Sequence, residues 1–91
     1  MQVCFYATLE PIVGQRRVEV DLPEPATVRD LVEALSARWP PLGEELLDEE
    51  GQLSRRVNIF VDGRNARWLQ GLDTRLERGH SIDIFPPVAG G

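Results

Sequence analysis

The stretch Thr27-Val28-Arg29-Asp30-Leu31-Val32-Glu33-Ala34-Leu35-Ser36-Ala37-Arg38-Trp39 decides the fold class. Val28, Leu31, Val32, Leu35 and Trp39 recur at helical spacing, while Arg29, Asp30, Glu33 and Arg38 fall elsewhere on the wheel. Thr27 followed by Asp30 resembles a capping box, with aspartate in place of the usual glutamate or glutamine. Pro40 and Pro41 end the pattern, because a residue before proline is pushed out of the α region. The spacing predicts one amphipathic helix of about three turns, and everything on either side of it reads differently.

Upstream, residues 2–8 (QVCFYAT) and 16–22 (RRVEVDL) are rich in strand formers, and Pro11, Gly14 and Gln15 lie in the turn region between them, which predicts a β-hairpin. Alternation puts Val3, Phe5 and Ala7 on one face with Cys4 and Tyr6 on the other. In the second strand Val18, Val20 and Leu22 alternate with Arg17, Glu19 and Asp21. Pro23, Glu24 and Pro25 end the hairpin. Downstream, residues 42–48 are expected to add one helical turn and 49–54 a loop. Residues 56–62 (RVNIFVD) read as a strand, with Val57, Ile59 and Val61 facing one way and Asn58 and Phe60 the other. Gly63 turns the chain, 64–69 is expected as a short edge strand, and 71–76 as an irregular connection. Residues 81–85 form the last strand, Ile82 and Ile84 alternating with Asp83 and Phe85. A single main helix across one face of a mixed sheet of four to five strands is the simplest burial of these stripes, so the fold class is α+β.

Length and composition agree with one small domain spanning 1–91. The chain has 91 residues, 42% apolar and 27% charged, an ordinary globular balance. Fifteen acidic against ten basic residues give a net charge of −5, which argues against a phosphate-tracking surface and so against a nucleic-acid partner. All ten basic residues are arginine. Without lysine there is no Schiff-base chemistry, no P-loop lysine and no side-chain amine through which copies could be joined; only the α-amine of Met1 remains. One cysteine and one histidine supply neither a closed zinc site nor an internal disulfide. The opening residues lack the pattern of a signal peptide or a bilayer span, so no membrane partner and a cytoplasmic location are expected.

The chain lacks G-x-G-x-x-G, P-loop, H-E-x-x-H and nucleophile-elbow patterns. His80, between Gly79 and Ser81, reads as an exposed turn residue rather than a catalytic base, since no partner for it is recognisable. Cys4 reads as a packed or half-exposed strand thiol rather than a nucleophile. Glu44, Glu45, Asp48, Glu49 and Glu50 lack EF-hand spacing and form a solvated helix end, or a field that speeds docking on a basic partner. Arg16, Arg17, Arg55 and Arg56 precede strands as surface charges. The closing run Phe85-Pro86-Pro87-Val88-Ala89-Gly90-Gly91 is harder to explain as scaffold. Two prolines stop the sheet, and residues without side chains can enter a channel too narrow for any other residue.

Val57-Asn58-Ile59-Phe60-Val61, Gly71-Leu72-Asp73-Thr74, Gly79 and the run from Phe85 to Gly91 together resemble the ubiquitin-like sulfur carriers. That family includes the molybdopterin synthase small subunit, the thiamine sulfur carrier and the carrier of the thiocarboxylate route to cysteine. The resemblance covers essentially the whole chain and implies a β-grasp fold, with 86–91 as a flexible tail. It further implies that the Gly91 carboxylate is adenylated by a ubiquitin-activating-like enzyme, which uses ATP, and is then converted to a thiocarboxylate that donates sulfur to a downstream enzyme. Gly90, Ala89, Val88 and Pro87 would be the residues those enzymes recognise. The protein would then be a co-substrate rather than an enzyme, with no cofactor of its own, and a monomer when free. The same tail also suits a ubiquitin-like modifier joined through Gly91 to lysines of other proteins. Leu9-Glu10-Pro11 departs from the basic residue common in molybdopterin synthase small subunits, and Gly79-His80 from the usual Gly-Asp. The stretch from Val57 to Thr74 is closer to the cysteine-route carrier.

Strand alternation leaves Phe60 and Phe85 pointing away from the helix, with Tyr6 on the same side. Outward aromatics are costly for solubility unless a partner covers them, and ubiquitin-like proteins dock through this face. Phe60, Phe85 and Tyr6 are therefore the expected contact patch.

Overall fold

The computed structural model describes residues 1–86 of the chain. Strands β1 (Gln2–Phe5) and β2 (Arg17–Glu19) pair antiparallel, Val3 opposite Val18 and Cys4 opposite Arg17, which is the expected hairpin. Its connection is helical where the sequence suggested a turn. A 3₁₀ turn at Ala7–Leu9 runs into the four-residue helix α1 (Glu10–Val13), which ends at Gly14 with φ of +90°. Pro11 reads as a turn residue but sits in the first turn of α1, where its missing N–H costs nothing. Ala7, expected on the inner face, is exposed with φ of +52°. The strand ends at Phe5, so the chain leaves the sheet before Ala7 can alternate inward, and Leu9 and Val13 are buried instead.

A two-residue strand, β3 (Ala26–Thr27), leads into helix α2 (Val28–Arg38). Thr27 and Asp30 form the capping box: the Asp30 N–H donates to Thr27 Oγ1 at 3.4 Å, and the Thr27 N–H donates to Asp30 Oδ2 at 2.9 Å. Two of the helix's orphan donors are thereby satisfied. Val28, Leu31, Val32 and Leu35 are buried from α2. The prolines that end α2 also begin the next helix, α3 (Pro40–Leu46), which is longer than the single turn expected there and buries Leu42 and Leu46. Proline at the start of a helix loses no hydrogen bond, so the same pair stops one helix and starts the next.

Strand β4 (Asn58–Val61) follows, then β5 (Arg64–Asn65), β6 (Arg75–Leu76) and β7 (Ser81–Phe85). The main sheet has the order β2-β1-β7-β4-β5, with β1 and β7 parallel and the other neighbours antiparallel. The expected edge strand at 64–69 shrinks to two residues, because Asn65 Oδ1 accepts the Arg67 N–H at 2.9 Å and starts a 3₁₀ turn at Ala66–Trp68. The connection at 71–76 is partly regular, holding a 3₁₀ turn and then β6, which pairs with β3. Val3, Phe5, Val57, Ile59, Val61, Ile82 and Ile84 share one buried cluster with Val28, Leu31, Val32 and Leu35. Helix α2 therefore covers the sheet face that alternation assigned to it. Among the described residues no helix is long and apolar enough to cross a membrane.

Candidate docking face and tail root

The sheet order brings three distant aromatics together. Phe85 is the last residue of the central strand β7, and Asn58 of β4 lies opposite it. Tyr6, just past β1, donates its N–H to Ile84 O at 3.2 Å. The Tyr6 and Phe85 rings stack with centroids 4.2 Å apart and planes at 6°, and Phe60 meets the edge of Phe85 at 5.5 Å and 90°. All three are half-buried, because they shelter one another on the face away from α2. Offset and edge contacts of this kind each add about 0.5–1.5 kcal/mol beyond area burial.

Polar groups fix the cluster in place. The Tyr6 hydroxyl donates to Asp83 Oδ1 at 2.9 Å, and Arg16 lies 5.5 Å above the Tyr6 ring while its Nε donates to Glu10 Oε1 at 2.8 Å. The hydrogen bond to the Asp83 carboxylate holds the Tyr6 pKa above its ordinary value of 10.0, with desolvation and the Asp83 charge acting in the same direction. Asn65 Nδ2 donates to Asn58 Oδ1 at 3.0 Å beside Phe60. At the foot of the patch Pro86 is buried and, with Thr8, Leu9, Glu45, Arg56 and Val57, lines a cleft of about 220 Å³. The tail residues Pro87, Val88, Ala89, Gly90 and Gly91 lie outside the described residues.

The structure brings neither Cys4 nor His80 to the tail root. Cys4 is 5% exposed between Arg17 and Asp83 in register, and its sulfur accepts from Gln2 Nε2 at 3.7 Å. His80 is half-buried rather than exposed, and it does have partners. Its Nδ1 accepts the Glu77 N–H at 2.9 Å, and its Nε2 lies 3.7 Å from Asp62 Oδ2. Asp62 Oδ1 in turn accepts the Ser81 N–H at 2.7 Å. His80 thus closes the turn before β7, at the end of the sheet away from Phe85. Asp48 likewise closes a turn within the acidic run, accepting from Glu50 N and Gln52 N, both at 2.9 Å.

One residue passed unnoticed in the sequence. Trp68 is 79% exposed, the most accessible large apolar side chain of the described residues. Its position inside an apparent edge strand hid it, and the only signal was its place between Arg67 and Leu69 where strict alternation fails.

A five-stranded mixed sheet with parallel central strands, crossed by one main helix, is the β-grasp, ubiquitin-like fold. The ThiS family model matches residues 3–91, and the chain belongs to that family of ubiquitin-like sulfur carriers. It is 35% identical over 91 residues to small archaeal modifier protein 3 of Haloferax volcanii, covering 100% of this chain and 98% of that one. It is 37% identical over 67 residues to the sulfur carrier protein CysO of Mycobacterium tuberculosis, covering 71% and 72% of the two chains. A chain of the Amycolatopsis orientalis BexX/CysO complex superimposes with a TM-score of 0.85 at 28% identity, over 99% of this chain and 98% of its own.

Proposed function

We propose that this protein carries sulfur on the main-chain carboxylate of Gly91. An adenylating enzyme of the ubiquitin-activator kind spends ATP to convert that carboxylate to an acyl-adenylate. A sulfur donor then displaces AMP to leave a thiocarboxylate, which a downstream biosynthetic enzyme consumes. The observation that carries the reading is membership of the ThiS family, whose model matches the chain from residue 3 through Gly90 and Gly91. A carboxylate is a poor acyl donor, whereas its adenylate has a good leaving group. The carrier need only present the atom, because the partner enzymes supply positioning and charge stabilisation. No cofactor of its own enters this chemistry. Phe60, Phe85 and Tyr6 form the docking patch, with Pro87, Val88, Ala89 and Gly90 threading into the enzyme, and the free protein works as a cytoplasmic monomer.

The Haloferax relative named as a modifier favours a second reading, in which Gly91 is joined to lysines of other proteins. Intact mass after incubation with the adenylating enzyme, ATP and a sulfur donor separates the two. Replacement of one oxygen by sulfur is the expected result, and it should vanish when Gly91 is deleted or followed by an extra residue. Tail-linked protein ladders from the source cell, with no sulfur gained, would favour the modifier instead.

A further inference from the structure

Trp68 stands 79% exposed and Leu69 beside it 39% exposed, on a loop that is firmly built. Ala66 is fully buried, the Leu69 N–H donates to Ala66 O at 3.0 Å, and Asn65 caps the turn. Arg67 Nη2 donates to Ser54 O at 3.0 Å and to Val57 O at 2.8 Å, which fastens the loop to the segment entering β4. Arg55 and Arg56 are exposed on that segment, and Arg64 is exposed on β5. Residues 54–68 therefore hold four arginines against Asp62 alone, a charge of +3 in a chain whose total is −5, so the remainder carries −8. Among the described residues none of these four guanidinium groups is paired with a carboxylate. A basic strip with a projecting indole thus runs along the β4–β5 edge of an otherwise acidic domain.

We propose that this strip is a second docking surface, adjoining the Tyr6, Phe60 and Phe85 patch where Asn65 pairs with Phe60. It fits an acidic surface with a pocket for the indole, on the enzyme that adenylates the tail; the choice of partner rests on the Gly91 reading above. An acidic partner meets a net charge of −8 over the rest of the domain and +3 at this edge, so the field favours one orientation of approach. That orientation is the useful one. Arg56 and Val57 line the same cleft as Pro86, so an enzyme that grips the strip stands beside the root of the tail. The turn that carries Trp68 is already ordered, so binding has little backbone freedom left to remove, which suits the indole to anchor the complex while the arginines steer it.

The test is calorimetric binding of the 91-residue chain to the adenylating enzyme of the source organism, without ATP, at low and high salt. Trp68→Ala is expected to weaken binding at least about tenfold. The charge reversal Arg55→Glu with Arg56→Glu should weaken it comparably and flatten its salt dependence. Both variants change exposed side chains, so melting temperatures should stay at the wild-type value. Sulfuration of Gly91 is measured separately. A chain that binds through Trp68 but is never sulfurated sinks the Gly91 reading and leaves the strip standing. A sulfurated chain whose affinity changes less than about twofold in both variants overturns the strip and leaves Gly91 standing. Three other results also overturn the strip: no binding by the wild type, a wild-type dimer that Trp68→Ala dissolves, or RNA binding lost in Trp68→Ala with enzyme affinity unchanged.

Discussion

Tyr6 lies flat against Phe85, ring centroids 4.2 Å apart and planes inclined by only 6°, although the two residues stand near opposite ends of the sequence. The parallel pairing of β1 with β7 makes this contact. It places an aromatic surface where the chain departs toward its last residues.

Phe60, at the edge of that surface, and its neighbour Ile59 face opposite ways. Phe60→Asp should leave the domain folded and weaken binding of the adenylating enzyme by about 2 kcal/mol or more. Ile59→Asp should unfold it, since a charge buried without a partner costs several kcal/mol against a net stability of about 5–15. Thermal melting and partner affinity of both variants check this, and equal unfolding by the two would remove the docking patch.

Tyr6 is the chain's one tyrosine, so ultraviolet absorbance of the phenolate reports it alone. It should titrate above 10.0, and Asp83→Asn should bring the midpoint down toward that value. Because the folded pKa is the raised one, this contribution to stability is fully present below the unfolded pKa. It is lost as pH rises through the folded pKa, since the unfolded chain gives up the proton first. Melting temperature should therefore fall more steeply with alkaline pH in the wild type than in Asp83→Asn.

Gly43 is required by the contact between α2 and α3. A Cβ there would lie 2.5 Å from Ser36 Oγ and 2.8 Å from Ser36 Cβ, so Gly43→Ala should destabilise the domain by about 1–3 kcal/mol. Ser36 Oγ is buried with no hydrogen-bond partner among the described residues. Ser36→Ala should therefore stabilise by about 0.5–1 kcal/mol. Chemical denaturation of the two variants, read for opposite signs, is the measurement.

Cys4 is buried within β1, where the Gln2 amide donates to its sulfur. Cys4→Ser should accept sulfur at Gly91 at the wild-type rate and lose about 1 kcal/mol of stability or less. A folded Cys4→Ser protein that no longer gains sulfur would place the thiol in the transfer.

The elements that sequence reading recovered are those whose burial follows a strict period. Val28, Leu31, Val32 and Leu35 repeat at helical spacing, and Ile59, Val61, Ile82 and Ile84 alternate, so each stripe named its own partner face. What stayed hidden was set by single local hydrogen bonds or by distant pairing. Pro11 reads as a turn residue but lies in the first turn of α1, Pro40 ends α2 as expected but also starts α3, and Asn65 ends a strand by capping the turn after it. The pairing of β6 with β3 joins two residues to two, too few to leave a pattern. In the candidate site, alternation placed Phe60, Phe85 and Tyr6 on one face, but the stack of Tyr6 on Phe85 and the edge contact of Phe60 with Phe85 depend on sheet order, which no local pattern encodes. His80 looked isolated because Asp62, its partner, belongs to another strand's end.

β7 lies between β1 and β4 in the main sheet. The sheet's middle thus stays open until the final strand of the described chain has been inserted, and the contacts that close it are among the most distant in sequence. A partly synthesised or partly unfolded chain lacks the Tyr6–Phe85 stack and so lacks the surface its partners would grip. Under the proposed carrier reading, completing the sheet and presenting the docking surface are one event, so an adenylating enzyme that grips this surface spends no ATP on an incompletely folded chain.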